Sequence, residues 1–207
     1  VSQGEKMQLS QFNPIFVKQV HELAEFFGFE TRNKYQISDS SQKIIGYAAE
    51  QQKGFFNFLA RQFLGHWRSF EVHFFTVDRQ PFLVGYHPFR WYFERIEVKN
   101  MQGQSIGALQ KRFSIFSKKF DVEDETGKVI MQVSSPIWRI WTFTFSHRGR
   151  DLATISKKWS GLFSEVFTDK DNFMIDVKDS QVSENSRKVL LVSSVFIDLL
   201  FFEHKAG

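Results

Sequence analysis

The chain has 207 residues, no cysteine, and 27 Lys and Arg against 23 Asp and Glu, for a formal charge of +4. Without cysteine there are no disulfides, thiolate metal sites, cysteine nucleophiles or S-acylation, and the redox compartment is unreadable. The mild basicity permits attraction to anionic lipid or nucleic acid without requiring it.

Phe occurs 26 times beside 4 Tyr and 5 Trp. So much hydrocarbon in a charged chain implies a large interior or an exposed apolar surface. Val1–Asn13 is rich in Gln and Ser and has no apolar h-region, so it reads as a flexible tail without a signal peptide, with a cytoplasmic default. Residues 14–207 read as one domain.

Pro14 opens a stretch to Phe27 in which Phe16, Val20, Leu23 and Phe27 recur at helical spacing. Pro suits the first turn and Gly28 the stop, which predicts an amphipathic helix. From Glu30 the period changes to two. Tyr35–Ile37 and Ile44–Ala49 flank a polar tip at Asp39–Gln42. Phe70–Val77 and Phe82–Tyr86, Phe93–Val98 and Ile106–Leu109, Phe116–Val122 and Val129–Val133, and Trp141–Ser146 and Leu152–Ile155 repeat that plan. Phe173–Val177 and the segment after it complete six hairpin units, and Gly103, Gly127 and Gly149 mark three successive tips.

Gly54–Trp67 breaks the β pattern. Phe55, Phe56, Leu59, Phe63 and Trp67 form a helical stripe edged by Arg61, which suits either a helix lying in a membrane interface or a lid on a barrel end. Val189–Phe202 is apolar on every side when wound as a helix, so something must surround it. At about 1.5 Å per residue it spans roughly 21 Å, short of a bilayer core of about 30 Å, and it contains Asp198. Length favours burial in protein. About twelve antiparallel strands close into a barrel wide enough for a central helix, so the predicted fold is mainly β, with the C-terminal helix plugging the barrel.

Basic pairs recur at Lys111–Arg112, Lys118–Lys119, Arg148 with Arg150, and Lys157–Lys158. They form a solvated face or, if they converge at one rim, attract anionic headgroups. No nucleic-acid recognition motif accompanies them. Nucleophile elbows, P-loops and dinucleotide fingerprints are absent and the histidines are scattered, which reads as a non-enzyme.

Several segments resemble the phospholipid scramblase family: Phe16–Val20, Phe29–Ile37, Ile155–Gly161, Phe167–Phe173 and Phe196–Glu203. The family is similar to the Tubby C-terminal-like and LURP-one-related barrels, twelve strands threaded by a hydrophobic C-terminal helix. The resemblance implies calcium-dependent bidirectional movement of phospholipids, with the last helix sometimes assigned as a membrane span. The family's cysteine-rich, acylated stretch has no counterpart here, its place falling near Arg90–Arg95, and the Pro-rich N-terminal region of animal members is missing too.

The family's calcium loop maps onto Asp169–Asp179. Asp169, Asp171, Phe173 and Ile175 take loop positions one, three, five and seven. Met174 replaces the glycine at six and Ser180 occupies twelve, with Asp179 one residue early. The alternative is a turn that carries solvated carboxylates into a strand. The expected function is scramblase-like action on membrane phospholipids, calcium-modulated. The rival is a soluble barrel that binds anionic lipid or a protein partner without transport.

Overall fold

The computed structural model describes residues 7–20, 31–51, 69–89, 92–115, 117–136, 141–157 and 172–201. Twelve strands follow in order: β1 (Ile15–Val20), β2 (Thr31–Ser38), β3 (Ile44–Gln51), β4 (Phe70–Thr76), β5 (Pro81–His87), β6 (Arg95–Lys99), β7 (Ser105–Arg112), β8 (Ser117–Asp124), β9 (Val129–Pro136), β10 (Thr142–His147), β11 (Arg150–Lys157) and β12 (Asn172–Val177). Each pairs with its sequence neighbour, and β12 returns antiparallel to β1 through Ile15–Ile175 and Val17–Phe173, so the sheet closes into a barrel. One helix follows, α1 (Glu184–Phe201). This is the barrel with a central C-terminal helix that the hairpin pattern predicts.

The twelfth strand comes from an unexpected place. The segment after Phe173–Val177 leads into α1, and the chain supplies β1 instead, where the sequence predicts the amphipathic helix from Pro14 to Phe27. Ile15, Phe16 and Val17 are buried, and β1 has a partner on each side. Two full hydrogen-bonded ladders outweigh a four-residue helical stripe, and the β-branched Ile15, Val17 and Val20 suit a strand. The rest of that predicted helix, residues 21–30, lies outside the described residues.

Four hairpins use one turn. Asp39, Thr76, Asn100 and Asp124 each open a three-residue loop, donating N–H to the carbonyl four residues on. The residue three places on is left-handed: Gln42, Arg79, Gly103 and Gly127, with φ of 65°, 61°, 79° and 83°. This is the type I turn with a G1 bulge, and each ladder shifts register beside it. At β10–β11, Arg148 and Gly149 are both left-handed, as a two-residue primed turn requires.

The acidic turns titrate in a defined direction. The Ser41 hydroxyl and the Thr126 hydroxyl hold the Asp39 and Asp124 carboxyls below their ordinary 3.8, reinforced by backbone N–H groups at Lys43 and Lys128. The charged form is the bonded one. Each turn's contribution is therefore complete above the unfolded value and fades as pH falls through the lower folded one. Carboxyl titration by NMR is expected to place both midpoints under 3.8, and a midpoint above that would mean the turns do not form.

Antiparallel order sorts the connections into two ends. All five tight hairpins lie at one, the turn end. The strand ends joined by the other six connections, β1–β2, β3–β4, β5–β6, β7–β8, β9–β10 and β11–β12, lie at the other, the loop end. The helix α1 enters at the turn end and begins five residues before the apolar run, because Ser183 caps it by accepting from Ser186 N at 3.1 Å. Glu184 accepts from Leu9 N at 2.6 Å and Ser10 N at 3.0 Å. Leu9, within the expected tail, is thereby fully buried, while Gln8, Ser10, Gln11 and Asn13 are exposed.

Inside, Val189–Val192, Val195–Ile197 and Leu199 are at most 5% exposed. Ser193 and Ser194 donate to Val189 O and Leu191 O within the helix, so their hydroxyls are satisfied in an apolar core. The wall meets the helix at Gly85, where an added Cβ would sit 2.6 Å from Val192 Cγ1.

Candidate functional site

Strand periodicity builds the candidate site at the loop end. On β1, β2, β3, β5, β7, β8, β9 and β11 the inward parity is apolar towards the turn end and turns polar near the loops, whereas β4, β10 and β12 keep Phe70, Phe143 and Phe173 inward there. Gln19 Nε2 donates to Asn33 Oδ1 at 2.9 Å, and Asn33 Nδ2 donates to Glu50 Oε2 at 2.7 Å. The Tyr35 hydroxyl donates to Asp198 Oδ2 at 3.0 Å. Lys157 Nζ lies 3.8 Å from Asp198 Oδ1, with both side chains no more than 5% exposed. At that separation the contact is an ion pair rather than a hydrogen bond. Lys157 also sits 5.4 Å above the Phe173 ring and 5.9 Å from Trp141.

Across the barrel, His87 is fully buried and stacks on Phe70 at 4.7 Å, with Phe196 5.4 Å away. A polar collar therefore surrounds the last turns of α1. Asp198, the one acidic residue inside the apolar run, meets a hydroxyl and an ammonium from the wall.

The same alternation splits the basic pairs between two faces. Lys111 faces the mouth and pairs with Glu94 at 2.8 Å, while Arg112 faces out and pairs with Asp121 at 2.6 Å. Lys118 lies 5.4 Å from the Phe143 ring, and Lys119 is exposed. Lys157 is buried, and Lys158 lies outside the described residues. Lys111, Lys118 and Lys157 thus come to one end of the barrel. The ion pairs of Lys111, Lys157 and Arg112 were not legible in the dipeptides.

Phe55, Phe56, Leu59, Arg61, Phe63 and Trp67 all lie outside the described residues, as do Asp169 and Asp171. Phe173 and Ile175 are buried on β12, between β1 and β11. Asp179 is buried, accepts from Gln181 N at 2.9 Å and faces Arg150 at 3.3 Å. Among the described residues no group of three or more His, Cys, Asp or Glu is gathered as a metal ion would need.

Sequence reasoning missed Asn33, Glu50 and His87. Each continues the inward parity of an apolar strand, as in Val17-Lys-Gln19 or Leu83-Val-Gly-Tyr-His87. A polar residue in phase with a core row was the signal available. Also missed were apolar residues in two neighbouring loops at this end: Phe89, Tyr92 and Phe93 before β6, and Phe113 and Ile115 before β8, all exposed.

Comparison with known proteins gives the family. The family model described as Scramblase matches residues 3–204. The human phospholipid scramblase family member 5 is 26% identical over 212 residues, covering 95% of this chain and 76% of the relative. The human phospholipid scramblase 1 is 28% identical over 210 residues, covering 94% of this chain and 64% of the relative. A solved Arabidopsis thaliana protein aligns over 92% of this chain and 93% of its own, at 11% identity and a TM-score of 0.48. With a family model spanning almost every residue, the chain belongs to the Scramblase family.

Proposed function

We propose that this protein acts on phospholipids as a scramblase-like protein at a membrane surface, with its C-terminal helix retained inside the barrel. Burial of α1 carries the reading. Its side chains from Val189 to Leu199 form the centre of the core. Placing them in lipid would expose the inward faces of all twelve strands. Among the described residues no helix is long and apolar enough to cross a membrane, and α1, at roughly 27 Å, begins with charged Glu184, Arg187 and Lys188. Lipid movement on this reading is physical. Headgroups cross downhill where the protein lowers the cost of taking their charge through the bilayer.

The absence of native cysteine allows a direct test. A Cβ at position 85 lies 2.6 Å from Val192 Cγ1, so the Cβ–Cβ separation to residue 192 is at most about 4.1 Å, below the upper limit for a disulfide. The double substitution Gly85→Cys and Val192→Cys, oxidised, fastens the helix to the wall. Labelled-lipid movement in liposomes is expected to be the same for the oxidised and reduced forms. Activity that disappears on oxidation and returns on reduction would require the helix to leave the barrel. No movement by the wild-type protein would end the scrambling reading. Wild-type activity indifferent to calcium would remove Asp169, Asp171 and Asp179 from it.

A further inference from the structure

Resting on the membrane reading above, we infer that the protein docks on anionic bilayers through the paired β5–β6 and β7–β8 loops at the loop end. Most large apolar side chains of the described residues are buried, and the exceptions cluster. Tyr92 is 80% exposed, Phe113 72% and Ile115 66%, with Phe89 and Phe93 above 40%. The remaining exposed ones, Val77 and Met101, sit singly on hairpins at the turn end. Scattered residues of that kind are ordinary, whereas an aromatic and aliphatic cluster on one end is an interaction surface.

The β5–β6 loop is fastened to the end of β7, beside the β7–β8 loop. Lys111 N donates to Glu94 O at 2.9 Å, and Gln110 Nε2 donates to Phe93 O at 3.1 Å. That contact holds Phe93 at a φ of 56°, a left-handed backbone that is uncommon for an aromatic residue. Phe93 is thus displayed by tied backbone.

Charge selects lipid as the occupant. At the feet of the loops Glu94 is taken up by Lys111, Asp121 by Arg112 and Glu123 by Arg95. Lys119 is exposed, with Lys118 half-buried beside it, at the start of β8 just after the apolar tip. Apolar side chains above a lysine belt match a surface whose acyl boundary lies just beneath anionic phosphates.

Co-flotation with vesicles of phosphatidylcholine and phosphatidylserine, or phosphatidylcholine alone, tests this. The wild-type protein is expected to float with the anionic vesicles. Tyr92→Asp, Phe113→Asp and Ile115→Asp together are expected to weaken binding by at least about tenfold for each apolar side chain that had been inserted. The pair Val77→Asp and Met101→Asp is expected to bind as wild type. These positions are exposed, and an unchanged thermal melt confirms that the variants fold. As a second readout, an environment-sensitive dye on Phe113→Cys is expected to shift blue with anionic vesicles, and the same dye on Met101→Cys is not.

Wild-type protein that ignores both vesicle types removes the membrane reading and this surface with it. Wild-type protein that floats while the triple variant floats equally well, or a blue shift at position 101 alone, removes this surface and leaves the membrane reading standing.

Discussion

Truncating Phe196 to alanine is expected to lower the unfolding free energy by about 3–5 kcal/mol, the upper range for a buried ring. Phe196 is fully buried and lies against Phe70 at 6.3 Å and His87 at 5.4 Å. Two features keep the cost high. The ring projects from a helix enclosed on every side, and the wall around it is a closed ladder of paired strands that cannot collapse inward to fill the void. His87 and Phe70 stack face to face with a 7° interplanar angle, so the cavity would also remove one flank of that stack. Urea unfolding should show the loss as a lowered midpoint at unchanged slope. A change below about 1 kcal/mol would mean that this end of α1 is not held in the barrel in solution, and the retained-helix reading would fail with it.

The fold was legible because two periods differ sharply. Alternation such as Trp141, Phe143 and Phe145 against Thr142 and Thr144 marks strands with one face inward, and the run Val189–Phe202 has no polar face at all. A barrel large enough to need filling and a helix that needs surrounding answer each other. The error at Pro14–Phe27 shows the limit. Ile15-Phe-Val17 fits both a strand and the first turn of a helix, and only its partners 160 residues away, on β12, decide between them. The start of α1 was hidden for another reason: Glu184-Asn-Ser-Arg-Lys188 is too polar to register as part of an apolar helix, although Ser183 is a good cap.

The arrangement at the loop end was not legible in the sequence. The basic dipeptides suited either a solvated face or charge at a rim, yet in a strand adjacent residues face opposite ways, so each pair was bound to be divided. Lys111 went to the mouth and Arg112 to the outer wall because Leu109 and Phe120 face inward. Which carboxylate each cation meets depends on cross-strand register, as with Arg112 and Asp121 on β7 and β8. The bulges beside the turns set that register, and they depend on left-handed residues such as Gln42 and Arg79 that do not identify themselves in the sequence.

Asp198→Ala is expected to destabilise the protein by about 3 kcal/mol, the low end for breaking a buried ion pair. The substitution removes the acceptor of the Tyr35 hydroxyl at 3.0 Å and the carboxylate facing Lys157 at 3.8 Å. The cost stays low because Lys157 keeps the faces of Phe173 and Trp141 and because the pair is too long for a hydrogen bond. Lys157→Met alone is expected to cost less, since Asp198 keeps Tyr35. Combining Lys157→Met with Asp198→Ala should cost clearly less than the sum, with a coupling of about 0.5–3 kcal/mol, because the charge left behind by one change is removed by the other. Additive losses would show that the two groups do not interact in solution. The double variant also separates two roles of the collar. If its only task is to fasten the end of α1, the apolar pair should serve as well, and lipid movement should match wild type in a protein that melts normally. If a normally folded double variant loses activity, the charges at this mouth act on the lipid pathway itself, and the collar belongs to the mechanism as well as to the plug.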